Sequence, residues 1–344
     1  MNYLRMFALS LFAFAIAPVL GSEELGPIKV YILAGQSNME GKAKVSLLDY
    51  QIEQPATREL FQHWRRDGKW LERDDVRIKF FDRAGPLTVG YGSPKCIGPE
   101  LEFGTVVGNH FSEPVLLIKT AWGGRSLYRD FRSPSAGLPT DEVLQKILAQ
   151  QQKKTPAATL AEIKISFGNS YRAMLAEVKQ TLADLPAHFP ADAKQGYEVA
   201  GFIWFQGWND MINAEYTAEY STNLQHFIRD VRKDLNVPQL PFVIGQMGVD
   251  GVNPSVGVQK FKAAQAKVLD SPEFKSNAAL VKTDVYWDQD AAAVFKKGWK
   301  EHVAEWNKVG SDFPFHYLGS PKTMLGIGHA FGEAALQLRE SANK

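Results

Sequence analysis

Apolar residues fall along this chain in two patterns. Five short, nearly continuous apolar runs have the character of buried strands: Ile28–Ala34, Val115–Lys119, Gly201–Phe205, Pro241–Gly245 and Ala279–Thr283. Elsewhere the apolar positions repeat at helical spacing. Ser170–Leu185 sets Met174, Val178, Leu182 and Leu185 in one stripe, and Tyr216–Leu235 does the same with Leu224, Phe227, Val231 and Leu235. Val258–Leu269 and Pro321–Leu338 carry similar faces. The final helix has a start signal, with Ser320 as N-cap and Pro321 at the first helical position. Continuous apolar strands alternating with helices predict an α/β protein whose parallel sheet is covered on both faces.

Two segments interrupt this alternation. Lys42–Lys95 is polar and turn-rich, and carries Trp64 and Trp70. Tyr128–Thr159 holds Pro134, Pro139 and the Gln/Lys-rich tract Gln150–Lys154. Both are expected either to overlay or extend the carboxyl edge of the sheet, where long loops shape binding sites, or to be plain surface insertions. No repeat or Pro/Ser linker divides the rest. Residues 22–344 therefore read as one domain with insertions near 42–95 and 128–159.

The N-terminus has a different character. Arg5 precedes the apolar stretch Met6–Ala17, and Val19-Leu20-Gly21 ends in a small residue suited to cleavage before Ser22. Residues 1–21 are read as a secretory signal, too short to span a membrane comfortably, which predicts a secreted or periplasmic protein. Removing them leaves 38 basic residues against 38 acidic ones, a balance that argues against nucleic acid or an anionic membrane as partner. Cys96 is the only cysteine, so an exported chain must rely on its core instead of disulfides. With 344 residues, 45% hydrophobic, including 8 Trp, 21 Phe and 11 Tyr, it can do so.

Candidate chemistry begins where the first strand stops, at Gly35-Gln36-Ser37-Asn38. A hydroxyl there lies at the carboxyl edge, where open α/β sheets bind ligands. Ser37 is thus either a nucleophile or a cap for the helix that follows. Its surroundings lack the second glycine of the G-x-S-x-G elbow. Trp122-Gly123-Gly124-Arg125 follows the second strand; its glycines suit either an exposed N–H donor for an oxyanion or a tight turn. Trp204-Phe-Gln-Gly-Trp-Asn-Asp210 follows the third strand, and both Gln206 and Asn209 carry amides able to donate to developing negative charge. Asp210 reads as a cap.

A base must come from seven histidines. His63, His110, His188, His226 and His302 sit in loops, turns or amphipathic stretches without other candidate chemistry. His329 lies inside the final helix. His316 lies just before that helix begins, where a side chain can reach across the sheet edge, and is preferred. The glycines of Gly326–Gly332 follow no strand and so do not make a dinucleotide site. With no H-E-x-x-H, phosphate loop or cysteine cluster, no metal or nucleotide cofactor is expected.

Together these segments resemble the SGNH hydrolase superfamily, and within it the sialate O-acetylesterase and acetylxylan esterase family of carbohydrate esterases. The resemblance rests on four blocks in order: Gly35–Met39, Ala121–Gly124, Trp204–Asp210 and His316–Ser320. Gly98–Phe103 and Phe242–Gly248 are smaller echoes. It implies a three-layer, flavodoxin-like α/β/α sandwich and a secreted serine esterase that removes O-acetyl groups from carbohydrates without a cofactor. It further implies Ser37 as nucleophile, His316 as general base and then acid, and an oxyanion hole from the Ser37 N–H, a backbone N–H at Gly123 or Gly124, and an amide of Gln206 or Asn209. Trp122, Arg125, Arg129 and Trp208 adjoin the blocks and are expected to line the cleft.

One departure stands out. Most SGNH enzymes carry an Asp three residues before the catalytic His, where this chain has Phe313. Some relatives use a Glu in a segment like Gly245–Gly248, where this chain has Gln246. Asp312 is the first choice for the orienting acid, with Asp288 and Asp290 behind it, and a backbone carbonyl could also hold the imidazole. The gap leaves two rivals in view: a glycan-binding relative without turnover, and an esterase for lipids or another acyl donor.

Overall fold

The computed structural model describes residues 26–190 and 193–342, so the expected signal at 1–21 lies outside the described residues. Its centre is a seven-stranded sheet made of β1 (Ile28–Gly35), β2 (Arg73–Phe80), β3 (Arg83–Leu87), β4 (Val115–Ala121), β5 (Tyr197–Phe205), β6 (Phe242–Gln246) and β7 (Ala278–Lys282). The spatial order is β7-β6-β5-β1-β4-β2-β3, and every pairing is parallel except β2 with β3. The five strands marked by apolar runs are β1, β4, β5, β6 and β7, and each starts and ends within a few residues of its run. Taken alone they stand second, first, third, fourth, fifth across the sheet, the flavodoxin-like order. That order reverses at β1, which lies between β4 and β5. The crevice at the carboxyl ends of these three strands is where such a sheet receives a ligand.

Seven helices matter to the argument: α1 (Ser37–Glu40), α2 (Glu100–His110), α3 (Asp141–Gln152), α4 (Asn169–Ala183), α5 (Ala214–Asp234), α6 (Val256–Ala266) and α7 (Pro321–Ala342). All eight residues of β1 are buried, as a strand covered on both faces requires. Alternate side chains meet opposite layers. Tyr31 packs edge-on against Phe103 of α2 at 5.3 Å, and Phe205 meets Phe331 of α7 at 5.4 Å. On the other face Phe202 and Trp204 pack against Phe227 of α5 at 5.9 and 4.5 Å. The result is the expected three-layer sandwich. Ser320 Oγ accepts from the Thr323 N–H at 3.4 Å, which is the N-cap read at the start of α7.

The two insertions differ from each other. Segment 42–95 extends the sheet: β2 pairs with β4, and β3 folds back on β2. In β2 only Val76, Ile78 and Phe80 are buried, at a spacing of two, while charged residues occupy the positions between. Segment 128–159 does not join the sheet. It forms α3, whose Leu144 packs with Tyr128, Ile163 and Phe167 in a small separate core.

Lys119 breaks the apolar pattern of β4 and is fully buried. Its ammonium donates to Glu100 Oε2 at 2.7 Å and to the carbonyls of Glu40 and Tyr91 at 2.9 and 2.8 Å. Burial draws this ammonium below the usual lysine range against the pull of the Glu100 carboxylate. The Glu40 carbonyl closes α1, so the buried cation anchors the segment that carries Ser37. Among the described residues no helix is long and apolar enough to cross a membrane.

Candidate active site

Backbone geometry at Gly35 decides where Ser37 stands. Its φ is +152°, and a Cβ there would come within 2.1 Å of the Phe205 carbonyl oxygen. Only glycine lets β1 run beside β5 to its end before turning into α1. Ser37 is 6% exposed at the carboxyl end of the sheet, and its Oγ makes no hydrogen bond to another described residue. As the first residue of α1, its N–H lies where a helix leaves amides unpaired.

Gln36, which no pattern in the sequence marks, clasps two strand ends together. Its Oε1 accepts from Gln206 Nε2 at 3.1 Å and from the Gly207 N–H at 3.0 Å. Its Nε2 donates to Asn209 Oδ1 at 3.1 Å. An amide both accepts and donates, so one buried glutamine holds the β1 and β5 ends in register.

The end of β4 completes the edge. The Trp122 N–H donates to the Gly35 carbonyl at 3.2 Å, which carries the ladder one residue past the strand. A Cβ built on Gly123 would lie 3.9 Å from Ser37 Cβ, so the Gly123 backbone sits against the serine. Gly124 follows with φ +72°, a left-handed turn in open space.

The two amides of Trp204–Asp210 separate. Gln206 is buried, and its Nε2 is shared among Gln36 Oε1, the Arg125 carbonyl at 3.0 Å and Asp210 Oδ2 at 2.6 Å. Both amide hydrogens of Gln206 thus face protein acceptors, and the side chain braces the loops around the strand ends. Asn209 is half-buried, borders the cleft, and accepts through Oδ1, while its Nδ2 has no hydrogen bond to a described residue. Asp210 is fully buried and caps a distant segment instead of its own turn, accepting from the Leu127 and Tyr128 N–H groups at 2.8 and 2.9 Å. Burial pushes its carboxyl up to about 6 despite those hydrogen bonds.

His316 lies in a helical turn, Pro314–Gly319, that packs against α1. Asn38 Nδ2, next to Ser37, donates to the Phe315 carbonyl, next to His316, at 3.1 Å. His316 Nδ1 is 2.9 Å from Asp312 Oδ1, and Nε2 makes no hydrogen bond to a described residue. The turn is strained: Tyr317 and Leu318 have φ of +52° and +60°. Buried Tyr317 holds it, since its hydroxyl accepts from the Gly248 N–H at 2.8 Å and bonds Thr283 Oγ1 at 2.6 Å.

The other acids are engaged elsewhere. Asp288 caps its own helix through the Asp290 and Ala291 N–H groups and accepts from Ser320 Oγ at 2.6 Å. Asp290 is exposed and pairs with Lys322. Gln246 donates to the Lys262 carbonyl. His329 and His63 both lie on the carboxylate of Glu102, at 3.3 and 2.7 Å. Among the described residues no group of His, Cys, Asp and Glu is arranged to hold a metal ion.

A polar cleft of about 590 Å³ opens beside these strand ends, lined by Trp122, Gly124, Arg125, Arg129, Asn209 and Tyr216. Arg129 donates to Ser166 Oγ at 2.9 Å, whereas among the described residues the Arg125 guanidinium is held by Asp130 alone, at 3.3 Å. Trp208 does not border this cleft; it packs against Phe315 at 5.4 Å, on the His316 side.

Residues 27–290 match the family described as carbohydrate esterase, sialic acid-specific acetylesterase. "Probable carbohydrate esterase At4g34215" of Arabidopsis thaliana is 21% identical over 222 residues, which are 63% of this chain and 68% of that one. The X-ray structure of the same Arabidopsis protein superposes with a TM-score of 0.51 at 17% identity, over 90% of this chain and 98% of that one. XAC1771, a carbohydrate acetylesterase from Xanthomonas citri, gives a TM-score of 0.46 at 15% identity, over 91% of this chain and 57% of that one. With the family matched across most of its length, this chain belongs to the sialic acid-specific acetylesterase family of carbohydrate esterases and is a carboxylic ester hydrolase.

Proposed function

We propose that this protein is an exported serine O-acetylesterase of carbohydrates working through an acetyl-enzyme. The observation that carries the reading is the convergence of Ser37, Gly123 and Asn209 at three adjacent strand ends, with the Asp312–His316 pair tied to the serine's neighbour. His316 Nε2 takes the Ser37 proton as Oγ attacks the acetyl carbonyl. Negative charge then develops on the carbonyl oxygen, where the N–H groups of Ser37 and Gly123 and the free Nδ2 of Asn209 stabilise it. As the tetrahedral intermediate collapses and the acyl C–O bond to the sugar breaks, the imidazolium gives its proton to the departing sugar oxygen, which leaves as a hydroxyl. Water, activated by the same imidazole, releases acetate. The Asp312 contact weighs against the reading of a glycan binder without turnover. The half-exposed Arg125 guanidinium suits the carboxylate of an acidic sugar, in keeping with the family's description.

Acetate release from O-acetylated sialic acid and from acetylated xylan tests the activity, and a serine-directed phosphonate tests the nucleophile. The expected mass shift falls on the peptide holding Ser37. Labelling of another residue, or no acetate from either sugar ester, would sink the proposal. Asn209→Ala is expected to lower kcat by about 10²–10³ with little change in KM, since its amide meets charge only in the transition state. A loss smaller than threefold would remove Asn209 from the oxyanion hole.

A further inference from the structure

A second cavity, about 650 Å³, borders Asp312 and is walled by the rings of Phe295, Trp299, Trp306 and Phe313. Trp306 is its buried floor, with Phe295 and Trp299 at 5.7 and 5.8 Å. Phe313 is 48% exposed, a cost to solubility that folding does not demand of it. It meets Trp299 edge-on at 6.3 Å and lies parallel to Phe315 at 5.5 Å. Phe315 in turn touches the His316 ring at 4.4 Å and Trp208 at 5.4 Å. Aromatic rings therefore run without a break from this cavity to the imidazole.

The polar side of the cavity is open. Lys44 and Asn307 are exposed, and neither side chain hydrogen-bonds another described residue. Flat aromatic faces beside free donors and acceptors match a pyranose, which has apolar C–H faces and a rim of hydroxyls. We propose that this cavity is a distal sugar subsite. It holds a residue of the same glycan whose acetyl group lies at Ser37, so the preferred substrate is an oligosaccharide or polysaccharide. This rests on the carbohydrate esterase reading above.

Two sites on one chain act through effective concentration, so kcat/KM per acetyl group should rise with chain length. The experiment compares monosaccharide esters with acetylated oligomers up to about six residues long, in a β-1,4-xylose series and an α2,8-sialic acid series. In wild type at least one series should gain roughly tenfold from monomer to long oligomer, about the worth of one aromatic contact, mostly through KM. Trp299→Ala and, independently, Phe313→Ala should collapse that gain, and Trp299→Phe should restore most of it. Binding of the unacetylated oligomers, followed by tryptophan fluorescence in wild type and Trp299→Phe, reads the subsite without turnover.

Turnover on monosaccharide esters with no length dependence in either series overturns the subsite and leaves the esterase reading standing. No turnover on any sugar ester defeats the esterase reading, and the binding arm then decides the subsite. A Trp299 signal that follows protein concentration and ignores oligosaccharide assigns the face to a second copy of the chain, and overturns the proposal.

Discussion

Replacing Ser37 by alanine should lower kcat for acetate release by roughly 10⁴–10⁶-fold while leaving KM and thermal stability near wild type. Stability should hold because Ser37 Oγ makes no hydrogen bond to another described residue, and alanine keeps the Cβ that packs beside Gly123. Turnover should fall because the acetyl-enzyme needs an oxygen nucleophile at that position, and a variant without one must use unassisted water. Oxyanion donors and substrate contacts survive the change, so a residue of catalysis above the uncatalysed rate is expected. Substituting His316 by alanine should cost about as much, and the double variant little more than either single one, because the two act as a unit. The measurement is kcat on p-nitrophenyl acetate and on acetylated sugar, alongside unfolding curves. A Ser37→Ala variant keeping a tenth of wild-type kcat would remove Ser37 from the chemistry.

How legible this was follows from how local each feature is. The five strands β1, β4, β5, β6 and β7 declare themselves because burial on both faces leaves almost no room for polar residues. The pair β2 and β3 does not declare itself in this way because charges at alternate positions of Arg73–Phe80 lower its mean hydropathy, although Val76, Ile78 and Phe80 keep the period-two signal. Ser37, Gly123 and Asn209 are candidates in the sequence because each lies a few residues past the end of an apolar strand, and topology brings those strand ends together. The brace formed by Gln36, Gln206 and Asp210 is not legible there. Its members lie in segments far apart in the chain, and only the folded register pairs them. Gln206 and Asn209 look alike as amides in one block; burial and the number of acceptors each faces tell them apart.

The acid proposed to orient His316 is the least legible feature, and its proposed role carries the second large effect. Asp312→Ala should lower kcat by about 10³–10⁴. In the sequence Asp312 is one residue out of the usual spacing. Tyr317, Leu318 and Gly319, all with positive φ, turn the chain back so that the Leu318 carbonyl accepts from the N–H groups of both Ser311 and Asp312. That turn brings the carboxylate to His316 Nδ1, and no residue type in it announces the left-handed backbone except Gly319. Asp312→Asn separates charge from hydrogen bonding. One oxygen, Oδ1, accepts from both the Phe313 N–H at 2.6 Å and His316 Nδ1, and an asparagine carbonyl can keep both contacts. Asparagine should therefore cost less than alanine, and the loss that remains isolates the charge from the geometry. Burial raises the Asp312 carboxyl, but the hydrogen bonds from His316 and the Phe313 N–H outweigh it, and the group sits below the usual carboxylate range. The folded value is thus depressed relative to an unfolded value near ~3.9, so this contact stabilises the fold above that pH and is lost as pH falls through the lower folded value. Unfolding curves of wild type and Asp312→Asn should differ at neutral pH, and the difference should shrink as the pH falls below the ordinary carboxylate value and through the lower folded one. An Asp312→Ala enzyme that folds and loses less than tenfold in kcat would leave His316 oriented by the strained turn alone.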